Sequence, residues 1–155
     1  MENTGREDKV LNDLFFVCSV IEFIGRNTKN KRRYVVQRLG ETQLSRLLEL
    51  ADVLHCQPIE VSAMELIEAC AIEVGVFDNV ADCKYTVPTH FDIAKVYKRL
   101  IADVAQSEDI TLLCALEQVY ESWISDSIDN YNSSMFYESP QYLFASFTTG
   151  KPIEG

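Results

Sequence analysis

The sequence predicts an all-α fold, a single-domain bundle of about six or seven helices that spans residues 1–155. Apolar residues recur at steps of three and four along most of the chain, which is the spacing of one buried helix face. Glycine, proline and helix-capping side chains separate these apolar stretches. A length of 155 residues with 47 % hydrophobic residues is typical of one globular domain.

The first predicted helix covers residues 9–24 and ends at Gly25, a typical C-terminal cap. Apolar residues occupy most of its circumference, so we expect it to lie at the centre of the bundle. The stripe consists of Val10, Leu14, Val17, Ile21 and Ile24, widened by Leu11, Phe15, Phe16 and Cys18. The acidic, polar residues 1–8 before it are expected to be flexible.

Two helices follow after a polar link. The first covers residues 31–39 and ends at Gly40. The second starts near Thr42 and is stopped by Gln57 and Pro58, because proline cannot donate a backbone hydrogen bond. The buried face of this second helix is predicted to consist of Leu44, Leu47, Leu48, Ala51, Leu54 and His55.

The middle of the chain is less regular. Ser62 and Glu65 have the spacing of a capping box, in which each side chain accepts a hydrogen bond from the other residue's backbone N–H. They predict a helix that starts near Ser62 and ends before Gly75. Periodicity fails over residues 76–87, where a short helical turn and a small strand pair both remain open.

Capping signals also mark the helices of the second half. Thr89 and Asp92 form a second capping box, followed by strict helical spacing to residue 104. Ser107 is predicted to cap a long helix that continues through Ile128. Ser139 and Pro140 predict a last helix that ends at Gly150.

The charge of the chain is strongly negative, with 24 acidic and 14 basic residues and a net charge of −10. No lysine or arginine occurs between Leu100 and Gly150. This disfavours direct DNA or RNA binding, because nucleic-acid affinity comes largely from neutralising phosphates. An acidic surface for a basic partner stays open, although solvated helix faces are the simpler explanation.

The cellular setting also follows from composition. No apolar run is long enough to cross a bilayer, and the polar N-terminus is unlike a secretion signal. The five cysteines are widely spaced and form no C-x-x-C pair, as expected for reduced thiols in a cytoplasmic protein.

An aromatic C-terminal tail, residues 130–155, and the acidic residues before it are the predicted partner-binding region. Aromatic residues are enriched in interface cores, but the same tail can instead close the hydrophobic core, and the sequence leaves both open. A homodimer through this tail is a further expectation. The candidate partner-binding residues are Glu117, Glu121, Asp126, Asp129, Tyr131, Phe136, Tyr137 and Tyr142.

No catalytic set, cofactor motif or metal site is predicted. Asp52, His55 and Cys56 lie on adjacent helical turns and could face one ion, but their apolar neighbours favour a histidine at the edge of the core. His90, beside Asp92 in the first turn of a helix, could act as an acid or base, although packing is the simpler role. An enzyme would need both histidines to meet in one pocket with a carboxylate.

Part of the chain resembles a family of short uncharacterised bacterial helical proteins. The residues that carry the resemblance lie between about 14 and 55: an aromatic, Cys, Ile and Glu pattern over residues 14–23, Leu39 with Gly40, and Leu54 with His55. The chain departs from that pattern after Pro58. The resemblance implies a bacterial cytoplasmic accessory protein, from a mobile element or a toxin-associated operon, and implies no activity.

The sequence as a whole therefore predicts a non-enzymatic module that binds another protein, such as a toxin, through an acidic or aromatic surface. One alternative is an acidic mimic of nucleic acid that inhibits a DNA- or RNA-handling enzyme, with binding that weakens steeply with salt. The other alternative is an enzyme of unidentified class that uses His55 and His90.

Overall fold

The computed structural model describes residues 2–153 of the backbone and the side chains of residues 8–153. Within this part the chain is all-α, as predicted, with seven α-helices, one 3-10 turn and no strand. The helices are α1 (Glu2–Thr28), α2 (Arg32–Leu54), α3 (Ile59–Ala69), α4 (His90–Glu108), α5 (Leu112–Tyr120), α6 (Trp123–Asp129) and α7 (Pro140–Thr149), and the 3-10 turn is Met135–Tyr137. The flexibility of residues 1–8 stays a prediction, because the structure describes the side chain of only one of them, Asp8.

Helix α1 lies in the centre of the bundle, as its wide apolar stripe predicts. It contacts α2, α3 and α4, which together surround it. Leu14, Val17, Ile21 and Ile24 are fully buried. Helix α4 contacts α5 and α7 on its other side and so extends the same core.

The prediction that Gly25 ends the first helix is wrong, because α1 continues to Thr28. The buried side chain of Arg32 lies directly against Gly25, and a Cβ atom there would be 2.7 Å from Arg32 Nε and 2.9 Å from Cζ. Glycine is therefore needed at this position for close approach of the arginine, and not for a helix end.

Replacing Gly25 with alanine is expected to lower the free energy of unfolding by about 1–3 kcal/mol, the usual cost of overpacking. Alanine normally stabilises a helix by about 1 kcal/mol relative to glycine, so the expected sign is the reverse of the usual one. The Arg32 side chain cannot move aside cheaply, since its Nε donates to Glu22 at 3.0 Å. Urea denaturation followed by circular dichroism measures the change, and a gain in stability would contradict the close contact.

The two helices predicted over residues 31–56 are joined in α2, which is broken at Gly40. Gly40 has φ 72° and ψ 170°, a left-handed conformation that glycine adopts without strain. Helix α2 ends at Leu54, so His55 and Cys56 lie just beyond it rather than on its last turn.

The predicted capping box of Ser62 and Glu65 is wrong, because α3 begins at Ile59, directly after Pro58. Ser62 is buried, and its hydroxyl accepts a hydrogen bond from Gln57 Nε2 at 2.7 Å. The helix also ends early, at Ala69, since Ala71 takes a positive φ of 51° and turns the chain away.

Residues 70–89 form a long connection without a strand or a helix, and turns occur at residues 79–82. Two backbone hydrogen bonds, from Gly75 N to Thr28 O and from Phe77 N to Lys29 O, attach it to the end of α1. The side chain of Asn132 attaches its far end, donating to Asp82 O at 3.0 Å and accepting from Lys84 N at 2.8 Å. Of the two predicted alternatives, the turn is confirmed and the strand pair is wrong.

The capping box of Thr89 and Asp92 is confirmed at the start of α4, with both hydrogen bonds present. The long helix predicted from Ser107 to Ile128 is wrong, because Ser107 lies inside the last turn of α4 and Asp109 ends that helix with a φ of 55°. Two short helices follow instead, and each has its own cap: Thr111 begins α5, and Ser122 begins α6.

The aromatic tail closes the core. The hydroxyl of Ser139 caps α7 by accepting from Tyr142 N, and Gly150 ends the helix at a φ of 86°, both as predicted. Tyr131, Met135 and Leu143 are buried, and the other aromatic residues of the tail pack against the core, except Tyr137, which is 69 % exposed. The core alternative is therefore confirmed for this tail, and the homodimer stays a prediction.

Candidate functional site

An open groove of about 620 Å³ lies beside the middle of α1. One wall is a stripe of α1, and the other comes from the end of α2, the start of α3 and the first turn of α4. We call this cavity the α1 groove. Its α1 residues are Asp8, Lys9, Asn12, Asp13, Phe15, Phe16 and Ser19, and the opposite residues are Ala51, Asp52, His55, Gln57, Ile59 and Phe91.

The middle of the α1 groove is apolar and aromatic. The rings of Phe15 and Phe91 lie 5.9 Å apart in a tilted pair, and the Lys98 ammonium lies 5.5 Å from the centre of the Phe15 ring. Phe91 is 44 % exposed. An exposed aromatic side chain in a concave site is the kind of contact that contributes most to binding.

The rim of the α1 groove is mostly acidic. Asp8, Asp13 and Asp52 contribute carboxylates, and Lys9 is the one lysine that lines the groove within the described part of the chain. Lys9 Nζ is 2.8 Å from Asp13 Oδ2 and 4.0 Å from Asp52 Oδ2, so it connects α1 with the end of α2. Both the lysine and Asp52 remain more than half exposed.

The two histidines do not meet. His55 lines the α1 groove, whereas His90 packs between Phe23 and Phe91, with ring centres at 5.3 and 4.1 Å. Burial, followed by the charge of Arg26, lowers the pKa of His90, and its Nε2 atom has no hydrogen-bond partner within residues 8–153. The convergence that the enzyme hypothesis required is therefore not found.

Asp52, His55 and Cys56 are all exposed and lie at or beyond the end of α2, rather than at the edge of the core. Among the residues that the structure describes, no three His, Cys, Asp or Glu side chains are placed to hold a metal ion together.

The predicted partner-binding residues divide into three groups by exposure. Glu121, Asp126 and Tyr137 are exposed, and Glu117, Phe136 and Tyr142 are half-buried. Asp129 and Tyr131 are buried, so the prediction that they belong to a binding surface is wrong. Their polar atoms are used inside the protein.

The acidic side chains among the predicted partner-binding residues are not equivalent. Asp126 is neutralised by Arg33 at 3.0 Å and by Lys31 at 3.8 Å. Glu117 lies close to Glu41 and Glu121 instead, and burial together with these two like charges raises the pKa of Glu117. Glu41, Glu117 and Glu121 therefore form a group of like charges.

A buried polar cluster, which the sequence did not predict, lies between α1, α2, α4, α5 and α6. Glu22 accepts hydrogen bonds from Arg32 Nε at 3.0 Å and from the Tyr120 hydroxyl at 3.2 Å. Neither Glu22 nor Arg32 is exposed at all. A buried ion pair of this kind costs desolvation and must be fully hydrogen-bonded to persist.

The same cluster continues to Asp129 through stacked tyrosines. The rings of Tyr97 and Tyr120 lie 4.0 Å apart at 12°, and the Tyr97 hydroxyl donates to Asp129 Oδ1 at 2.9 Å. Burial, followed by the charge of Glu22, raises the pKa of Asp129 to about 7. Tyr131 completes the cluster by accepting from Arg26 at 3.1 Å and from Arg32 at 3.4 Å.

The members of the buried cluster are almost fully inaccessible and join five helices. The α1 groove, by contrast, is open and combines apolar area with charge, which suits the binding of another molecule.

No helix within the described residues is both long and apolar enough to span a membrane. Comparisons of the chain with protein-family models, with curated proteins and with solved structures give no match.

Proposed function

We infer that the chain is a protein-binding module and that its binding site is the α1 groove, which receives an amphipathic helix of a partner protein. The observation that carries this proposal is the aromatic floor of the groove, by which we mean the rings of Phe15 and Phe91. This floor is open to solvent and is flanked by acidic residues. The module has no catalytic role in this proposal. A bacterial, cytoplasmic accessory protein, as the resemblance over residues 14–55 implies, is part of the same proposal.

The length of the groove supports a helix as its occupant. Asp8, Asn12, Phe15 and Ser19 all line it and follow one another at steps of four, three and four. This stripe runs for three turns of α1, or about 16 Å at 1.5 Å per residue. A partner helix of about three turns would therefore lie along α1 and place its apolar side on the aromatic floor.

The charge of the rim supports a basic partner. The three carboxylates that line the groove outnumber the ammonium groups of Lys9 and of Lys98, which lies over the Phe15 ring, so the groove stays negative in a chain with a net charge of −10. Charge complementarity at a rim increases the association rate and excludes acidic competitors. A basic amphipathic helix combines both features that the groove offers.

A designed peptide of about 14 residues, with leucine and phenylalanine on one face and lysine on the other, tests this proposal. We expect saturable binding to the full chain by fluorescence anisotropy, with amide chemical shifts changing at Ser19, Ala51 and Gln57. Phe91→Ser is expected to weaken binding about tenfold or more, because an aromatic anchor is lost. The control Tyr137→Ser removes an exposed aromatic residue outside the groove, and equal losses in both variants would contradict the groove as the site.

The acidic mimic of nucleic acid remains a second candidate, favoured by the crowding of Glu41, Glu117 and Glu121. It predicts that shift changes appear at these glutamates and that binding of a basic partner falls steeply with salt. Groove binding depends less on salt, since its aromatic contacts are uncharged. The same titration, repeated at two salt concentrations, distinguishes the two sites.

A further inference from the structure

We propose that Lys9 is an internal occupant of the α1 groove, whose ammonium takes the position that a lysine of the partner helix occupies when it binds. This inference rests on the proposed function and names the chemistry of the partner. The ammonium of Lys9 lies between Asp13, at 2.8 Å, and Asp52, at 4.0 Å. These two carboxylates come from opposite walls of the groove, so together they form a receptor for one ammonium group.

The arrangement of Lys9 makes exchange feasible. Its side chain is 58 % exposed, and an exposed ion pair contributes little to stability. The longer of its two contacts, to Asp52, is at the limit of an ion pair. An incoming ammonium can therefore displace Lys9 without unfolding any helix.

Displacement also explains how the groove can be acidic yet selective. With Lys9 in place, Asp13 is neutralised and Asp52 is partly neutralised, so a partner must supply an ammonium at the same position to compete. The aromatic floor between Phe15 and Phe91 lies in the same groove and receives the apolar side of that helix. A peptide with an uncharged polar face gains the apolar contacts but does not displace Lys9.

Two probe peptides with the same apolar face, one with lysine and one with glutamine on the polar face, test this inference on the full chain. Lys9→Gln is expected to increase the affinity for the lysine peptide about two- to fivefold, the range of an exposed ion pair, and to leave the glutamine peptide unchanged. Asp52→Asn is expected to remove most of the preference for lysine. The matched control is Arg99→Gln, which removes an exposed pair of the same spacing, Arg99 with Asp103 at 3.4 Å, outside the groove.

The outcomes separate this inference from the proposed function. If both peptides change the shifts of Ser19, Ala51 and Gln57 but Lys9→Gln alters neither affinity or alters both equally, Lys9 is not an internal occupant and the groove proposal survives. If Lys9→Gln lowers the affinity for the lysine peptide, Lys9 belongs to the binding surface, and the inference is overturned. If neither peptide changes the shifts of Ser19, Ala51 and Gln57 in the wild type or in Lys9→Gln, both proposals fail.

Discussion

Replacing Arg32 with methionine is expected to lower the free energy of unfolding by about 3–5 kcal/mol, the usual cost of removing one partner of a buried ion pair. Methionine keeps the unbranched apolar part of the side chain but has no guanidinium, so Glu22 is left buried without its counter-ion. The carboxylate then keeps only the hydrogen bond from Tyr120, at 3.2 Å. Urea denaturation followed by circular dichroism measures the loss. We expect the slope of the unfolding free energy against urea concentration to stay unchanged.

A matched control is available in the next residue. Arg33 pairs with Asp126 at 3.0 Å, the same distance as Arg32 from Glu22, but this second pair is exposed. Arg33→Met is therefore expected to cost less than about 1 kcal/mol. Equal costs for the two arginines would show that burial does not set the strength of the Glu22 pair.

A double variant keeps the prediction testable if Arg32→Met alone does not fold. Glu22→Leu combined with Arg32→Met removes both charges, and an apolar pair of similar volume is often as stable as a buried ion pair. We expect the double variant to regain most of the lost stability. A double variant as unstable as the single one would mean that the hydrogen bonds of the buried cluster, and not its charge balance, hold the helices together.

The fold class could be predicted from the sequence because helices leave local signals. The capping box of Thr89 and Asp92 and the start at Ser139 are each complete within four residues, and both are confirmed. The misplaced starts at Ser62 and Ser107 have the same local appearance. Tertiary contacts decide against them, since Ser62 is buried beside Gln57 and α4 continues past Ser107.

The buried polar cluster could be predicted only in part. Glu22 follows Cys18 by four residues and so lies on the buried face of α1, which signals a charge that needs a partner inside the core. Its partners are not local, because Tyr120 lies 98 residues further along the chain. The α1 groove could not be predicted either, since it is a gap between four helices, and the packing of those helices leaves no periodic signal.

The stability of the wild-type protein is expected to fall between about pH 4 and pH 7, relative to an Asp129→Asn variant. Burial raises the pKa of Asp129 from 3.8 to about 7, so the folded state binds a proton that the unfolded state has already released in this range. A group with a raised pKa in the folded state contributes stability below its unfolded pKa, and this contribution is lost as the pH rises through the folded pKa. Each pKa unit corresponds to about 1.4 kcal/mol, which limits the change to about 4 kcal/mol.

Asparagine is a suitable replacement because its carbonyl oxygen can still accept the hydrogen bond from the Tyr97 hydroxyl. The charged groups that act on Asp129 are Glu22, Arg32 and Asp126, and all three are kept in the variant. The difference in unfolding free energy between wild type and variant, measured by urea denaturation at half-unit steps of pH, therefore reports the proton that Asp129 binds together with the effect of the Asp129 charge on the Glu22 carboxyl.

Asp126→Asn provides the matched control, three residues earlier on the same helix. Asp126 is exposed and paired with Arg33 and Lys31, so its loss is expected to cost less than about 1 kcal/mol. Its charge is the weakest of the three that act on Asp129, so the variant is expected to keep most of the pH dependence of the wild type. A wild-type protein that instead gains stability over Asp129→Asn as the pH rises would show that Arg32 stabilises the Asp129 carboxylate more than burial destabilises it. The buried cluster would then hold two carboxylates and one buried guanidinium at neutral pH. Arg32→Met would leave two buried charges without a counter-ion rather than one.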